Sequence, residues 1–158
     1  MKFNNIMHVC FITKNYDAMV EFYEKIGGKI KALTKFKVYA DRDDRPDLQK
    51  VAKLNPEGVF SCYMELAPGQ FLEFFPNWQV EERDPKWNYR FGYSHFALTV
   101  DDIFEARKEL EKLGIKPDTE PSKGPSETWQ MWLSDPDGNK FEIMQYTDKS
   151  YQVVGHID

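Results

Sequence analysis

The sequence predicts an α+β fold built from two β-α-β-β-β (βαβββ) modules, whose curved mixed sheets surround a shared cavity. Three observations support this prediction, and each occurs twice along the chain. A short strand begins with a histidine, an amphipathic helix then ends at a glycine, and a late strand carries a glutamate just after a glycine turn. Chance is unlikely to supply all of these correspondences, so we interpret the chain as an internal repeat.

The first repeated feature is the strand that begins with a histidine. The segments that start at His8 and His95 are short and rich in β-branched and aromatic residues, which is typical of strands. Seven residues after each histidine stands a residue that favours a helix N-cap, Asn15 in the first half and Asp102 in the second. The sequence therefore predicts that a helix follows each strand.

The second repeated feature is an apolar stripe with helical spacing. The stripes consist of Met19, Phe22, Tyr23 and Ile26 in the first half and of Ile103, Ala106, Leu110 and Leu113 in the second. Gly27 and Gly114 each follow their histidine by nineteen residues. We expect both helices to end there, because glycine adopts the left-handed conformation at little cost.

The third repeated feature is a glutamate four residues after a glycine. Gly69 precedes Glu73, and Gly138 precedes Glu142. Strands are predicted near Lys29–Tyr39, Val59–Leu66 and Gln70–Phe75 in the first half, and near Lys116–Ser122, Thr128–Leu133 and Lys140–Gln145 in the second. Each glutamate thus lies in the last strand of its half.

The two halves differ in length by 18 residues between histidine and glutamate. The polar, proline-containing segment 40–57 accounts for this difference, and we expect an inserted loop with a short helix around Asp47–Leu54. The chain of 158 residues suits a single domain, 1–158. Module 1 spans about 5–80, including the insertion at 40–57, and module 2 about 91–147.

Composition excludes several classes of function. Hydrophobic residues make up 41% of the chain, which is enough for a packed core, and no run approaches the length of a membrane span. A net charge of −5, without a Lys/Arg cluster among aromatics, argues against nucleic acid as a partner. Cys10 and Cys62 are predicted to be reduced core residues, and we expect a cytoplasmic protein without a signal peptide.

Side-chain alternation separates the two histidines from the core. Residues two apart in a strand share a face, so the apolar residues Val9, Phe11, Phe96 and Leu98 suit packing against the helices. His8 and His95 then point to the opposite side of their sheets. Their neighbours on that side are Cys10, Ile12, Ala97 and Thr99.

Glu73 and Glu142 stand inside apolar strands, where a bare carboxylate is costly to bury. If the strands curve around one cavity, two imidazoles and two carboxylates converge. This set suits Zn, Ni, Co, Mn or Fe(II) and balances a 2+ charge. A lone histidine or glutamate in a strand is more often structural or solvated, but matched placement in a repeat favours a metal site. His156 and Glu65 have no matched partner and are left out of the site.

The segment Ser134–Glu142, with the sequence SDPDGNKFE, resembles the DPDG turn and glutamate strand of the vicinal oxygen chelate superfamily. This superfamily includes glyoxalase I, bleomycin-resistance proteins and extradiol dioxygenases. The segment Tyr93–Asp102 is the next most specific part of the resemblance, which covers nearly the whole chain apart from the insertion and the tail. Catalytic members share a metal with open positions that chelates two neighbouring substrate oxygens.

The ligand order His8, Glu73, His95, Glu142 resembles that of bacterial glyoxalase I. The resemblance implies one divalent metal ion on these residues, a homodimer and a small-molecule substrate. The implied activity is that of a lyase or isomerase acting on a thiol hemithioacetal of a 2-oxoaldehyde. It proceeds by proton transfer through a metal-bound enediolate, with Glu142 or Glu73 as the base.

The resemblance also indicates candidate substrate contacts. Asn77 matches a residue that contacts glutathione in glyoxalase I, and Phe75, Trp129 and Met131 either line the pocket or belong to the core. Ile12 stands where glyoxalase I has an arginine that binds a glutathione carboxylate, so the identity of the thiol in the substrate stays open. The alternatives are another enzyme of the superfamily, such as an epimerase or thiol transferase, and a small-molecule-binding resistance protein without catalysis.

Overall fold

The computed structural model describes residues 7–76 and 95–155. The chain divides into two compact units, Met1–Glu81 and Glu82–Asp158. Each unit has its own sheet and its own helices, which we describe in turn.

The first unit contains a four-stranded mixed sheet with the strand order β1-β4-β3-β2. Its strands are β1 (His8–Thr13), β2 (Lys29–Lys35), β3 (Val59–Ala67) and β4 (Gln70–Pro76), and its helices are α1 (Tyr16–Lys25) and α2 (Pro46–Leu54). Strand β1 runs parallel to β4, whereas the other neighbouring strands are antiparallel. The unit is therefore a β-α-β-β-β module, with α2 inserted before β3.

The second unit repeats this topology with the strand order β5-β8-β7-β6. Its elements are β5 (His95–Thr99), α3 (Ile103–Lys112), β6 (Ser122–Lys123), β7 (Trp129–Ser134), β8 (Lys140–Gln145) and α4 (Tyr151–Val154). Strand β5 runs parallel to β8, and the remaining pairs are antiparallel. The predicted α+β architecture of two β-α-β-β-β modules with mixed sheets is confirmed.

Helices α1 and α3 end in the same hydrogen-bonded motif around a glycine. In the first unit, the Gly27 N–H donates to the Glu24 carbonyl at 3.1 Å and the Gly28 N–H donates to the Tyr23 carbonyl at 2.8 Å. The equivalent bonds after α3 measure 3.0 and 2.9 Å. Gly27 and Gly114 have φ angles of 105° and 72°, in the left-handed region that this motif requires. Both predicted helix ends are confirmed.

The start of α3 is capped as the sequence predicts. The Asp102 carboxylate accepts hydrogen bonds from the backbone N–H groups of Phe104 at 2.8 Å and Glu105 at 3.0 Å. These bonds satisfy donors that have no partner within the helix. Both α1 and α3 are 10 residues long, and no helix in the described part of the chain is long and apolar enough to cross a membrane.

The inserted segment contains the expected helix. Helix α2 spans Pro46–Leu54, and its proline occupies a first-turn position where the missing N–H is tolerated. The predicted strand Lys29–Tyr39 is shorter than expected, because a 3₁₀ turn replaces its last residues at Phe36–Tyr39. Phe36 is buried there and meets the ring of Phe60 edge-on at 5.7 Å.

The predicted strand Lys116–Ser122 is wrong, because only Ser122–Lys123 joins the ladder. Proline has no N–H to donate, and Pro117 and Pro121 therefore interrupt regular pairing. The Asp118 N–H still donates to the Trp132 carbonyl at 2.8 Å, but the Trp132 N–H donates to the Thr119 hydroxyl at 3.0 Å. Residues 118 and 119 thus lie beside β7, but the Trp132 N–H bonds to a side-chain hydroxyl instead of a backbone carbonyl.

The two cysteines differ in their surroundings. Both are free thiols, and Cys62 is fully buried, as predicted. The prediction of a core position for Cys10 is wrong, because this residue is exposed. It lies two residues after His8 in the edge strand β1 and therefore shares the face that the histidine occupies.

Candidate metal centre

Each sheet has one face that packs on a helix and one face that carries a histidine. In the first unit, Phe74 packs against Tyr23 of α1 at 5.5 Å and against Phe11 at 6.1 Å. The alternate residues of β1 are exposed, and Ile12 is 70% exposed. The predicted assignment of faces is confirmed for β1, and β5 alternates in the same way, with His95 exposed.

The first unit brings His8 and Glu73 together. The parallel register of β1 and β4 pairs His8 with Phe71 and Cys10 with Glu73. Glu73 is therefore the diagonal neighbour of His8 on the same face, within reach of long side chains. The His8 Nε2 atom lies 3.5 Å from the Glu73 Oε2 atom, and the side chains are 37% and 11% exposed. The imidazole is accessible, whereas the carboxylate is nearly buried.

The second unit brings His95 and Glu142 together in the same way. The parallel register of β5 and β8 pairs His95 with Lys140 and Ala97 with Glu142. The His95 Nε2 atom lies 3.9 Å from the Glu142 Oε2 atom, and the side chains are 37% and 10% exposed. The two pairs thus match in register, in separation and in burial.

An aromatic residue stands beside the first pair. Antiparallel pairing of β3 and β4 places Tyr63 opposite Glu73. The neighbouring Glu73 carboxylate raises the pKa of the Tyr63 phenol. The Tyr63 ring also meets the His8 ring nearly at right angles, with the centroids 5.7 Å apart. Tyr63 therefore contacts both members of the pair.

Trp132 occupies the corresponding place in the second unit. It lies opposite Glu142 in the β7–β8 ladder, and its ring centroid is 4.7 Å from that of His95. Tyr63 was not predicted as a site residue, although the sequence contains a signal for it. The offset of 69 residues that relates the two glutamates also relates Tyr63 to Trp132.

Burial changes the acidity of Glu142. Removal of the carboxylate from water raises its pKa, and the nearby His95 partly opposes this effect. The protonated form of Glu142 is therefore favoured in the fold. The associated stabilisation is present below the unfolded-state pKa of 4.5 and is lost as the pH rises through the higher folded-state value. At neutral pH, the metal-free protein carries a destabilising buried charge at this position.

Replacing Glu142 with Gln is thus expected to raise the Tm of the metal-free protein at pH 7 by about 2–4 °C. The gain should vanish at pH 4, where Glu142 is itself protonated. Calorimetry in the presence of a chelator measures both values, and Glu109→Gln on the exposed side of α3 is the matched control. If Tm rises by the same amount at the two pH values, the charge of Glu142 is not the cause of the gain.

The candidate substrate residues of the second unit lie on the helix-packing side. Met131 and Trp129 alternate with Trp132 along β7, so they point away from the face that carries Glu142. Met131 is fully buried, and Trp129 packs edge-on against Phe104 of α3 at 5.1 Å. Met131 therefore belongs to the core, whereas Trp129 is half-buried beside α3.

The candidate substrate residues of the first unit fall at the end of β4. Phe75 lies two residues after Glu73 and shares its face, where it meets the Phe60 ring edge-on at 5.1 Å. Asn77 lies outside the described residues. Among the predicted substrate contacts that fall within the described residues, Phe75 is therefore the one that lies beside a candidate ligand.

The donor atoms of each pair suit a divalent ion. Imidazole nitrogen and carboxylate oxygen bind zinc at about 2.0–2.2 Å, which separates two ligands of a tetrahedral site by about 3.4 Å. The observed separations of 3.5 and 3.9 Å are close to this value. Within residues 7–76 and 95–155, no three His, Cys, Asp or Glu side chains meet in one metal-binding cluster. The structure thus presents two separate His–Glu pairs, one on the sheet of each unit.

Comparison with known proteins gives a consistent assignment. The sequence model of the Glyoxalase/Bleomycin resistance protein/Dioxygenase superfamily matches residues 5–143. Lactoylglutathione lyase from Neisseria meningitidis serogroup A is 25% identical over 146 residues, which cover 89% of each chain.

Two solved structures are similar over nearly the full chain. A glyoxalase family protein from Enterococcus faecalis superposes with a TM-score of 0.67 and 25% identity, covering 91% of this chain and 99% of the other. Lactoylglutathione lyase from Agrobacterium tumefaciens gives a TM-score of 0.60 with 18% identity over 92% and 96% of the two chains, which shows the shared fold. Together with the match over residues 5–143, these observations show that the chain belongs to the Glyoxalase/Bleomycin resistance protein/Dioxygenase superfamily.

Proposed function

We propose that this chain is a metal-dependent enzyme of glyoxalase I type, which isomerises the thiol hemithioacetal of a 2-oxoaldehyde. The observation that supports this most is the repeated His–Glu pair, which has the same register and nearly the same burial in both units. The similarity to lactoylglutathione lyase, at 25% identity, supports the class of substrate.

The proposed ligands of one divalent ion are His8, Glu73, His95 and Glu142. Two neutral imidazoles and two carboxylates balance a 2+ charge, and this donor set accepts Zn, Ni, Co, Mn or Fe(II). When bound, the ion supplies Lewis-acid stabilisation of the negative charge that develops on the substrate oxygens. The cation in turn compensates the carboxylates for their burial.

Glu142 is the proposed base. In the metal-free protein burial raises the pKa of Glu142, which is the direction that a base acting at neutral pH requires. Glu142 takes the proton from the carbon that bears the sulfur and the hydroxyl group, and returns it to the neighbouring carbonyl carbon. The hydroxyl proton passes to the neighbouring oxygen. The hemithioacetal becomes a 2-hydroxyacyl thioester, and no atom is gained or lost.

The test of this function is a substrate panel with metal-loaded and metal-free protein. Methylglyoxal is combined with glutathione, bacillithiol or CoA, and formation of the thioester is followed by its absorbance. Thioester formed with one of these thiols, and only by the metal-loaded protein, is the expected result. Metal binding without any thioester would favour an epimerase or a thiol transferase, and ligand binding without metal would favour a resistance-type binding protein.

Each unit supplies one His–Glu pair, so a set of four ligands requires two units. We propose a homodimer, in which the two units that complete a site come either from one chain or from both chains. If they come from both chains, mixing His8→Ala chains with His95→Ala chains should restore activity, because each mixed dimer contains one intact set.

Sites formed within a single chain would give no such recovery. Sedimentation of the wild-type protein provides the second measurement. A monomer at micromolar concentration would contradict the proposed dimer.

A further inference from the structure

A lysine stands beside His95 on the face that carries the second His–Glu pair. The parallel register of β5 and β8 pairs Lys140 with His95, and residues paired across two strands point to the same side of the sheet. Lys140 also precedes Glu142 by two residues in β8, so strand alternation places it on the same face. Its side chain is 41% exposed, and the ammonium group is therefore accessible to a ligand.

Two neighbours hold this ammonium group in place. The Lys140 Nζ atom donates to the Asp118 carboxylate at 2.7 Å and to the Ser134 hydroxyl at 2.8 Å. The Ser134 hydroxyl donates in turn to the same Asp118 oxygen at 2.8 Å. An ammonium group has three N–H donors, so these bonds within the described residues leave one donor for a ligand. Because the side chain is already ordered, binding there avoids much of the entropy cost of ordering it.

This position is where the two units depart from their repeat. Phe71 lies opposite His8 in the first unit, at the place that Lys140 occupies in the second. The Phe71 ring meets the Tyr63 ring edge-on at 6.0 Å, so this position is apolar in one unit and cationic in the other. An ion pair as exposed as Lys140–Asp118 contributes little to stability. Recognition of a charged group accounts better for a fixed cation beside a candidate metal ligand.

We propose that Lys140 binds a carboxylate of the substrate and that Asp118 and Ser134 hold its ammonium group for this purpose. The inference rests on the proposed function and specifies its substrate, whose thiol part must then carry a carboxylate. A carboxylate brings one negative charge to the single remaining donor. A phosphate of higher charge is disfavoured, because Asp118 repels it more strongly.

Three variants isolate the ammonium group. Lys140→Met removes the charge and keeps most of the apolar stem, whereas Lys140→Arg keeps the charge. Lys112→Met is the matched control, because it removes the same charge from an exposed lysine of α3. Helix α3 packs against Trp129, on the side of the sheet opposite to the His–Glu pair.

Kinetics with metal-loaded protein measure the effect. Methylglyoxal is combined with glutathione, bacillithiol or CoA, and the thiol that gives thioester is compared with its methyl ester. Lys140→Met should raise KM for the acid about 10-fold, the size expected for loss of a charge-assisted hydrogen bond, and keep kcat within about 3-fold. Lys112→Met should stay within about 2-fold of the wild type, and Lys140→Arg should lie closer to the wild type than Lys140→Met does.

The ester tests the contact itself. Esterification should weaken binding about 10-fold more in the wild type than in Lys140→Met, because the variant has already lost the contact. Calorimetric titration with S-methylglutathione, S-methylbacillithiol and S-methyl-CoA measures the same difference without turnover. If Lys140→Met does not fold, Lys140→Gln is held to the same expectation.

An equal effect of esterification in the wild type and Lys140→Met would overturn the inference and leave the proposed function standing. Preference for CoA, which carries phosphates and no carboxylate, would overturn it as well. A wild type that forms no thioester, yet binds an S-methylated carboxylate thiol about 10-fold more tightly than Lys140→Met does, would remove the proposed function and support the carboxylate contact.

Discussion

Replacing His95 with Ala is expected to lower the affinity of the chain for a divalent ion by roughly 100-fold or more, which exceeds the effect of losing an outer-sphere partner. The variant removes one of two imidazole donors and leaves Glu142 without its partner at 3.9 Å. His8→Ala should give a loss of similar size, because the two histidines are equally exposed. Equilibrium dialysis against Zn²⁺ measures both losses.

The third histidine of the chain, His156, provides the control for this experiment. It lies outside the repeat, so His156→Ala should bind metal like the wild type. Unchanged affinity in His8→Ala and His95→Ala would show that the ions bind elsewhere.

Replacing Glu142 with Gln is expected to lower kcat by roughly 10²–10⁴-fold, the usual contribution of a general base. Glutamine keeps the size of the side chain and one oxygen, so the variant should retain much of its metal. Glu73→Gln should show the opposite pattern, with a larger loss of metal affinity than Glu142→Gln. Metal content measured on the same samples as the kinetics separates the two effects.

Full activity in a metal-loaded Glu142→Gln protein would transfer the role of base to Glu73. Equal loss of metal in the two variants would contradict the division of roles between them. The higher Tm expected for metal-free Glu142→Gln excludes misfolding as a cause of its inactivity, because a destabilised variant would melt earlier.

Much of the fold was predictable because each feature occurs in both halves of the sequence, so that one copy supports the interpretation of the other. The glycines at 27 and 114 end their helices in the same motif, and the cap at Asp102 forms as expected. The pairs His8–Glu73 and His95–Glu142 followed from strand alternation and matched spacing. Such patterns are local or repeated, so a single sequence is enough to reveal them.

Other features depend on register and could not be predicted in the same way. The faces of Trp129 and Met131 follow from the pairing of Trp132 with Glu142, which the composition of β7 does not specify. The exposure of Cys10 depends on the edge position of β1 in its sheet. The position of Tyr63 beside Glu73 depends on which residue β3 places opposite the glutamate.

Titration of the wild-type protein with metal tests the central claim most directly. Protein prepared without chelators is offered Zn, Ni, Co and Mn in turn, and the bound ion is counted per chain. Binding of one ion per chain, with weaker binding in His8→Ala and His95→Ala, is the predicted result. If the wild type binds none of the four ions, the His–Glu pairs are structural contacts and a protein that sequesters a small molecule becomes the better account.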